Sequence, residues 1–273
     1  MRHLFVIQCC KYAQAVALGK LLKDISPEED GFPKWDIFYA YDIYSNDRKL
    51  FETLPNAHGF KIGYCTIDQG MFHLLLWRYL SHHEEYNFDY YHLISESDFP
   101  FKGIYRIDDL VRGYDFYGYI QLIKMMSKSI AWYGLSKTAC DMVSRWILEI
   151  SRKVPDIWYN HETFSGYTGG IDEYIISAMM EYLVTELGMR RRNECLRLVM
   201  YQEQGKDATL ATDGTPIDWY GHKSRSKTSP IILDDTPATN YAFENWDVLF
   251  GRKFDFDSNS YEHFYKLIYE TRV

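Results

Sequence analysis

A chain of 273 residues, 47% hydrophobic and 25% charged, is long enough to bury roughly three quarters of its unfolded surface without disulfide or metal staples. Its formal net charge of -8 argues against general binding of nucleic acid or anionic membrane, both of which need a basic face, and leaves only local basic sites. No window approaches the ~18 apolar residues of a membrane span, and the apolar run in MRHLFVIQCC is too short for a signal-peptide core. The expectation is a cytoplasmic protein with no transmembrane segment, open at most to peripheral membrane contact.

The first half alternates β-rich runs with helical stretches. HLFVIQ (3–8) reads as a strand, followed by a helix in AQAVALGKLLKDI whose Ala15, Leu18, Leu21 and Leu22 fall on one stripe. WDIFYAYD (35–42) is the second strand, FKIGYC (60–65) the third and YYHLISES (90–97) the fourth, with a polar helical stretch and then a helix through FHLLLWRYL between them. Strands separated by helices imply βαβ crossovers, so the fold class is α/β with a mostly parallel sheet of nucleotide-binding type. Further on, IAWYGLS (130–136) reads as a strand feeding the helix KTACDMVSRWILEI. After the loop FSGYTGG comes a helix with Ile175, Ile176, Met179 and Leu183 on its apolar face. Residues 203–229 lack periodicity and read as a long surface loop. With no repeat and no low-complexity linker, 1–273 reads as one domain.

Five cysteines (Cys9, Cys10, Cys65, Cys140 and Cys195) form an odd, scattered set without metal-ligand spacing, and reduced thiols are the reading. The aromatic share is 17%, with 24 Tyr and 7 Trp. Such side chains suit stacking on a sugar or base, and they equally fill cores.

Open sheets of this kind bind ligands outside the carboxyl ends of their strands, which points to Asp42 and the segment after Ser95. A GxGxxG or P-loop signature is missing. Arg252 and Lys253 adjoin each other between Phe250 and Phe254, where the aromatics would anchor the backbone. An Asp-x-Asp string follows at Asp255 and Asp257, and His82, His83, Glu84 and Glu85 read as the solvated end of a helix.

Three segments together resemble the core-2/I-branching β-1,6-N-acetylglucosaminyltransferases and peptide-O-xylosyltransferases of glycosyltransferase family 14. YYHLISESDFPFKG (90–103) is similar to the family's Leu-Ser-Gly-x-Asp-Phe-Pro-Leu-Lys strand end. SIAWYGLSKTACDMV (129–143), followed by GGIDEYIISAMM (169–180), looks like its aromatic strand, helix and Pro-Asp-Glu-Tyr segment. LFGRKFD (249–255) is close to its Leu-Phe-Ala-Arg-Lys-Phe-Asp stretch, and DIFYAYD is a weaker match to its Ile-His-Val-Asp strand end.

The resemblance implies an A-type glycosyltransferase fold, with 1–128 as the nucleotide-sugar-binding half and 129–273 as the acceptor and catalytic half. It implies inverting transfer of a sugar, GlcNAc or xylose favoured, from a UDP-sugar to a glycan hydroxyl, with no required metal. The vertebrate members are anchored, disulfide-bonded Golgi enzymes; the absence of both features here turns the expectation toward microbial polysaccharide or lipopolysaccharide synthesis. Carried over residue by residue, Glu173 is the catalytic base, Asp42 contacts the nucleoside, and Arg252 and Lys253 grip the diphosphate in place of a divalent ion. Asp98, Trp132 and Tyr133 are the acceptor-side residues. The family's additional Arg, some twenty residues before its Arg-Lys pair, has Ile231 in its place, with Lys223, Arg225 and Lys227 nearby as substitutes. On local grounds alone, Asp172 and Glu173 read as an N-cap and a first-turn acid, a reading the resemblance reverses, and a strand-end Asp equally suits a turn cap. Metal binding at Asp255 and Asp257, or a non-catalytic glycan-binding protein, are the alternatives. A glycoside hydrolase is disfavoured because only Glu173 has the context of a paired-carboxylate site.

Overall fold

A nearly unbroken apolar run makes β1 (His3–Cys9), in which every residue but Gln8 is buried, as a strand covered on both faces requires. The computed structural model describes residues 1–62, 67–118, 120–123, 126–129, 132–153, 171–194, 196–199, 233, 235, 237–245 and 248–270. After β1 the chain forms α1 (Tyr12–Asp24) and then a short hairpin of β2 (Glu28–Glu29) and β3 (Phe32–Pro33). It continues through β4 (Trp35–Asp42), α2 (Arg48–Phe51), β5 (Ala57–Phe60), α3 (Ile67–His82), β6 (Tyr90–Ser95), β7 (Asp98–Pro100) and α4 (Ile107–Val111). β8 (Phe116–Tyr117), β9 (Ile120–Ile123), β10 (Met126–Ser129), β11 (Gly134–Ser136), α5 (Lys137–Lys153) and α6 (Ile171–Thr185) follow. The last elements are β12 (Arg191–Arg192), β13 (Arg197–Val199), α7 (Pro237–Asn245), β14 (Phe250–Arg252) and α8 (Tyr261–Glu270).

These elements form two compact units. One takes Met1–Tyr12, Pro27–Ile94 and Val111–Cys195; the other takes Ala13–Ser26, Ser95–Leu110 and Leu196–Val273. Both draw on each of the sequence halves 1–128 and 129–273.

The first unit holds a seven-stranded sheet in the order β5-β4-β1-β6-β11-β8-β12. β1 pairs parallel with β4, and β4 parallel with β5. The starts of β1 and β6 are tied together, the Asp89 and Tyr90 amides donating to the Arg2 carbonyl at 3.0 and 3.2 Å. β11 runs antiparallel to both β6 and β8. The expected α/β class with a mostly parallel sheet is therefore the observed one. The order β5-β4-β1-β6 places the reversal of winding between β1 and β6, the position where open α/β sheets open a ligand crevice.

Period-2 alternation divides the strand residues between faces. Leu4, Val6, Phe38, Ala40, Tyr91 and Leu93 join one core with side chains of α3, α5 and α6, and α3 packs on both other helices. Burying a Leu or Phe side chain there contributes about 1.5–3 kcal/mol each. The observed helices contain those read from the sequence, except that α1 ends at Asp24, one residue before the Ile25 expected, and α6 buries the expected Ile176, Met179 and Leu183.

Two strand assignments need correction. The third strand is found at Ala57–Phe60, ahead of the expected 60–65, of which the described Lys61 and Ile62 lie past its end; its position is set by β4, with Tyr39 opposite Ala57 and Asp42 opposite Phe60. A Cβ on Gly59 would come within 2.8 Å of Ile43 and 2.9 Å of the Tyr41 ring, so the close approach demands a glycine that weakens the β signal. The strand expected at 130–136 begins at Gly134; Trp132 and Tyr133 precede it. The loop at 203–229 and residues 63–66 lie outside the described residues.

The second unit contains a three-stranded sheet in the order β13-β14-β7. β14 is parallel to β13 and antiparallel to β7. Phe99 of β7 meets Phe254 at 4.4 Å, and Phe101 meets Phe243 at 5.0 Å between ring centroids. These aromatics, with Phe256 and Phe264, fill the unit's interior. Among the described residues no helix is long and apolar enough to cross a membrane, and Cys9, Cys10 and Cys140 are free thiols.

Candidate functional site

Arg252 ends the middle strand of the small sheet, and Lys253 follows it. Phe250 and Phe254 on either side of the pair are buried, while Arg252 and Lys253 themselves are partly exposed. Backbone hydrogen bonds fix the segment at three points: Leu249 N–H to the Leu196 carbonyl at 2.8 Å, Phe254 N–H to the Ser97 carbonyl at 2.7 Å, and Leu233 N–H to the Lys253 carbonyl at 2.6 Å. The flanking aromatics thus anchor the backbone as the sequence suggested. The Arg252–Lys253 peptide is cis. The Lys253 ammonium has no ion-pair partner among the described residues.

Asp98 stands directly opposite Arg252 in the antiparallel ladder, and such partners project from the same face of a sheet. Its carboxylate is fully buried, and Oδ2 accepts from Arg197 Nη2 at 2.5 Å and from the Ser95 amide at 2.7 Å. Arg197 is itself only 3% exposed at its side chain, with its guanidinium 5.8 Å from the Phe250 ring centroid. Burial pushes the Asp98 carboxyl above the ordinary range, and the guanidiniums of Arg197 and Arg252 pull it back. One carboxylate therefore sits in the field of two guanidiniums.

Sequence reasoning missed Arg197. The signal for it was a lone cation in the β-forming run CLRLVM, since a charge inside an apolar strand has to be paired when buried. The partner is 99 positions away in the chain, so no local pattern could name it.

The other sequence-derived residues belong to the first unit. Asp42 ends β4, where its Oδ1 accepts from the Tyr44 amide at 3.1 Å and its carbonyl from the Ser45 amide at 2.9 Å, the turn-capping geometry of a strand-end Asp. Tyr133 is wholly buried and Trp132 is 8% exposed. The Tyr133 hydroxyl accepts from Trp77 Nε1 at 2.6 Å and lies 3.3 Å from His73 Nδ1. Both aromatics therefore sit within the core of that unit. Glu173 is the third residue of α6, a first-turn position, and only its backbone is described; the helix begins one residue before Asp172, which is therefore inside the helix and not its cap.

Asp255 uses Oδ1 to accept from Gln14 Nε2 at 2.9 Å and from the Asp257 amide at 3.1 Å, and Gln14 Oε1 accepts from the Phe256 amide at 3.2 Å. The Asp-x-Asp string is thus a turn locked onto α1. Lys223, Arg225 and Lys227 lie outside the described residues. A separate open cavity of about 320 Å³ in the first unit is lined by Ser81, His82, Lys137, Asp141, Ser144 and Arg145, and no sequence-derived site residue takes part in it. Compared with known proteins, the chain matches no family model and no curated protein.

Proposed function

We propose that this chain is an inverting, metal-independent glycosyltransferase of the A-type fold that moves a sugar, GlcNAc or xylose favoured, from a UDP-sugar to a hydroxyl of a microbial glycan. The observation that carries the reading is the Arg252–Lys253 pair at the end of β14. Two adjacent cations are held by a fixed backbone between buried aromatics, as a diphosphate seat requires and a freely solvated basic pair does not.

In this reading Glu173 takes the proton of the acceptor hydroxyl. The freed oxygen attacks the anomeric carbon, the bond from that carbon to the β-phosphate oxygen breaks, and the electron pair leaves with UDP. Arg252 and Lys253 stabilise the charge that grows on the departing diphosphate. Asp42 would take a hydrogen bond from the base or ribose, with Oδ2 as the available oxygen since Oδ1 serves its own turn.

Calorimetric titration with UDP is the first test: an enzyme of this class binds it, and a glycan-binding protein without a nucleotide pocket does not. Glu173→Gln is expected to leave UDP binding nearly intact while transfer falls by ~10²-fold or more. Unchanged transfer removes Glu173 from the mechanism. Activity is expected to persist in EDTA without stimulation by Mn²⁺; complete loss restored by Mn²⁺ supports the Asp255 and Asp257 alternative instead.

A further inference from the structure

We infer that Asp98 and Arg197 form a buried positioning pair for Arg252, setting the direction of its guanidinium without touching substrate themselves. The inference rests on the diphosphate-binding reading of Arg252 and extends it to two residues closed off from solvent.

The geometry of the small sheet carries it. Arg252 lies on the middle strand, opposite Asp98 on one edge strand. Arg197, on the other edge strand, is in register with Phe250, two residues before Arg252. Residues two apart on a strand share a face, so Asp98, Phe250, Arg252 and Arg197 all belong to one face of the sheet. Arg197 spans the middle strand over the Phe250 ring and reaches Asp98 Oδ2. The Ser95 amide holds the same oxygen, which fixes the carboxylate from two directions. Asp98 Oδ1 has no hydrogen-bond partner among the described residues, and Arg252 is the next residue across the ladder.

A carboxylate at 0% exposure is in no position to contact a sugar. Burying a charge pair carries a desolvation cost for each ion, and apolar residues of the same volume often replace the pair without loss. The pair therefore does something that packing alone would not. On one face with a partly exposed Arg252, it supplies an oriented negative charge that draws the guanidinium to one side and holds it there, so that less rotamer freedom is lost when an anion binds.

The test separates this role from a merely structural one. Asp98→Asn in the full chain leaves Arg197 charged in the interior, so a loss of thermal stability is expected along with a ~10–100-fold loss of UDP affinity, the range for displacing a positioned group. Asp98→Asn combined with Arg197→Met removes both charges at similar volume. For a positioning pair the double variant regains most of the melting temperature while its UDP affinity stays low. Recovery of both overturns the inference and leaves the pair a structural tie. Where the single variant does not fold, the double variant decides. Arg197→Lys, which keeps the charge and loses the planar fork, is the milder control: UDP affinity several-fold weaker at an unchanged melting temperature supports the inference, and parental affinity overturns it. A parent chain that does not bind UDP overturns the diphosphate reading and this inference together; a parent that binds UDP while every folded variant binds it equally overturns the inference alone.

Discussion

Arg252 can be separated from a generic positive charge by substitution. A guanidinium forks onto two phosphate oxygens, whereas an ammonium is a point charge, so Arg252→Lys is expected to weaken UDP binding and lower turnover even though the charge is kept. Hydrogen bonds to charged groups contribute about 1.5–3 kcal/mol, which corresponds to roughly a 10–100-fold loss for Arg252→Ala or Lys253→Ala. If both alanine variants fold and bind UDP like the parent, the pair is a surface feature and the donor site is elsewhere. Two buried histidines make a second prediction. Burial lowers the His73 pKa to about 3, and burial, then His3, lowers that of His92 well below its ordinary value. Unfolded histidine takes up a proton near pH ~6.5, while these two stay neutral in the fold. The stability they allow is therefore complete above about pH 6.5 and is lost as pH falls below it, for His73 by about 1.4 kcal/mol per pH unit down toward 3, with His92 acting in the same direction. The melting temperature should drop between pH 7 and pH 5, and His73→Gln should make that drop shallower; a variant with the parental slope would show that His73 is not its source. The basic pair was legible at this scale because charge and flanking aromatics are adjacent in sequence. Arg197 was not, because what gives it meaning is a carboxylate 99 positions away.

Among the elements, β14 depends on Gly251 as much as on its charged neighbour. A Cβ there would strike the Phe101 ring and lie 2.7 Å from Leu233 Cδ1. Alternation places Gly251 on the face opposite Arg252, so the glycine lets the strand sit flush against Phe101 on one side while the other side carries Arg252. Gly251→Ala is expected to cost about 1–3 kcal/mol of stability, as overpacking of a filled core does, and to weaken UDP binding by shifting the strand. Parental melting temperature and affinity would show that the sheet has room that the contacts deny. The same kind of close approach hid β5. With Gly59 under Tyr41, the run AHGF lacks the length and apolar β-forming character that made β1, β4 and β6 readable, and FKIGYC drew the assignment a few residues too late. Long amphipathic helices were legible because their periodicity is intrinsic; β7, β13 and β14, at three residues each, are defined by partners and not by pattern.

At the scale of the molecule, alternation of strands and helices reveals the α/β sheet but not how the chain is shared out. Each compact unit is assembled from three separate stretches, and that interleaving leaves no linker composition to find in the sequence. It has a consequence for dissection. Residues 196–273 carry β13, β14, α7 and α8, but the edge strand β7 with Asp98, and the rings of Phe99 and Phe101, come from Ser95–Leu110. The Gln14 amide that locks Asp255 and Phe256 comes from Ala13–Ser26. Expressed alone, 196–273 would hold Arg197 without its carboxylate and Phe254 without the ring it meets at 4.4 Å. A chain of that size is marginal even with its core complete. The fragment is therefore expected to give the far-ultraviolet dichroism of an unordered polypeptide and no cooperative melt. A sharp, reversible transition from 196–273 alone would show that the second unit does not need the two earlier stretches, and Asp98 would then lose its place as the partner that Arg197 requires.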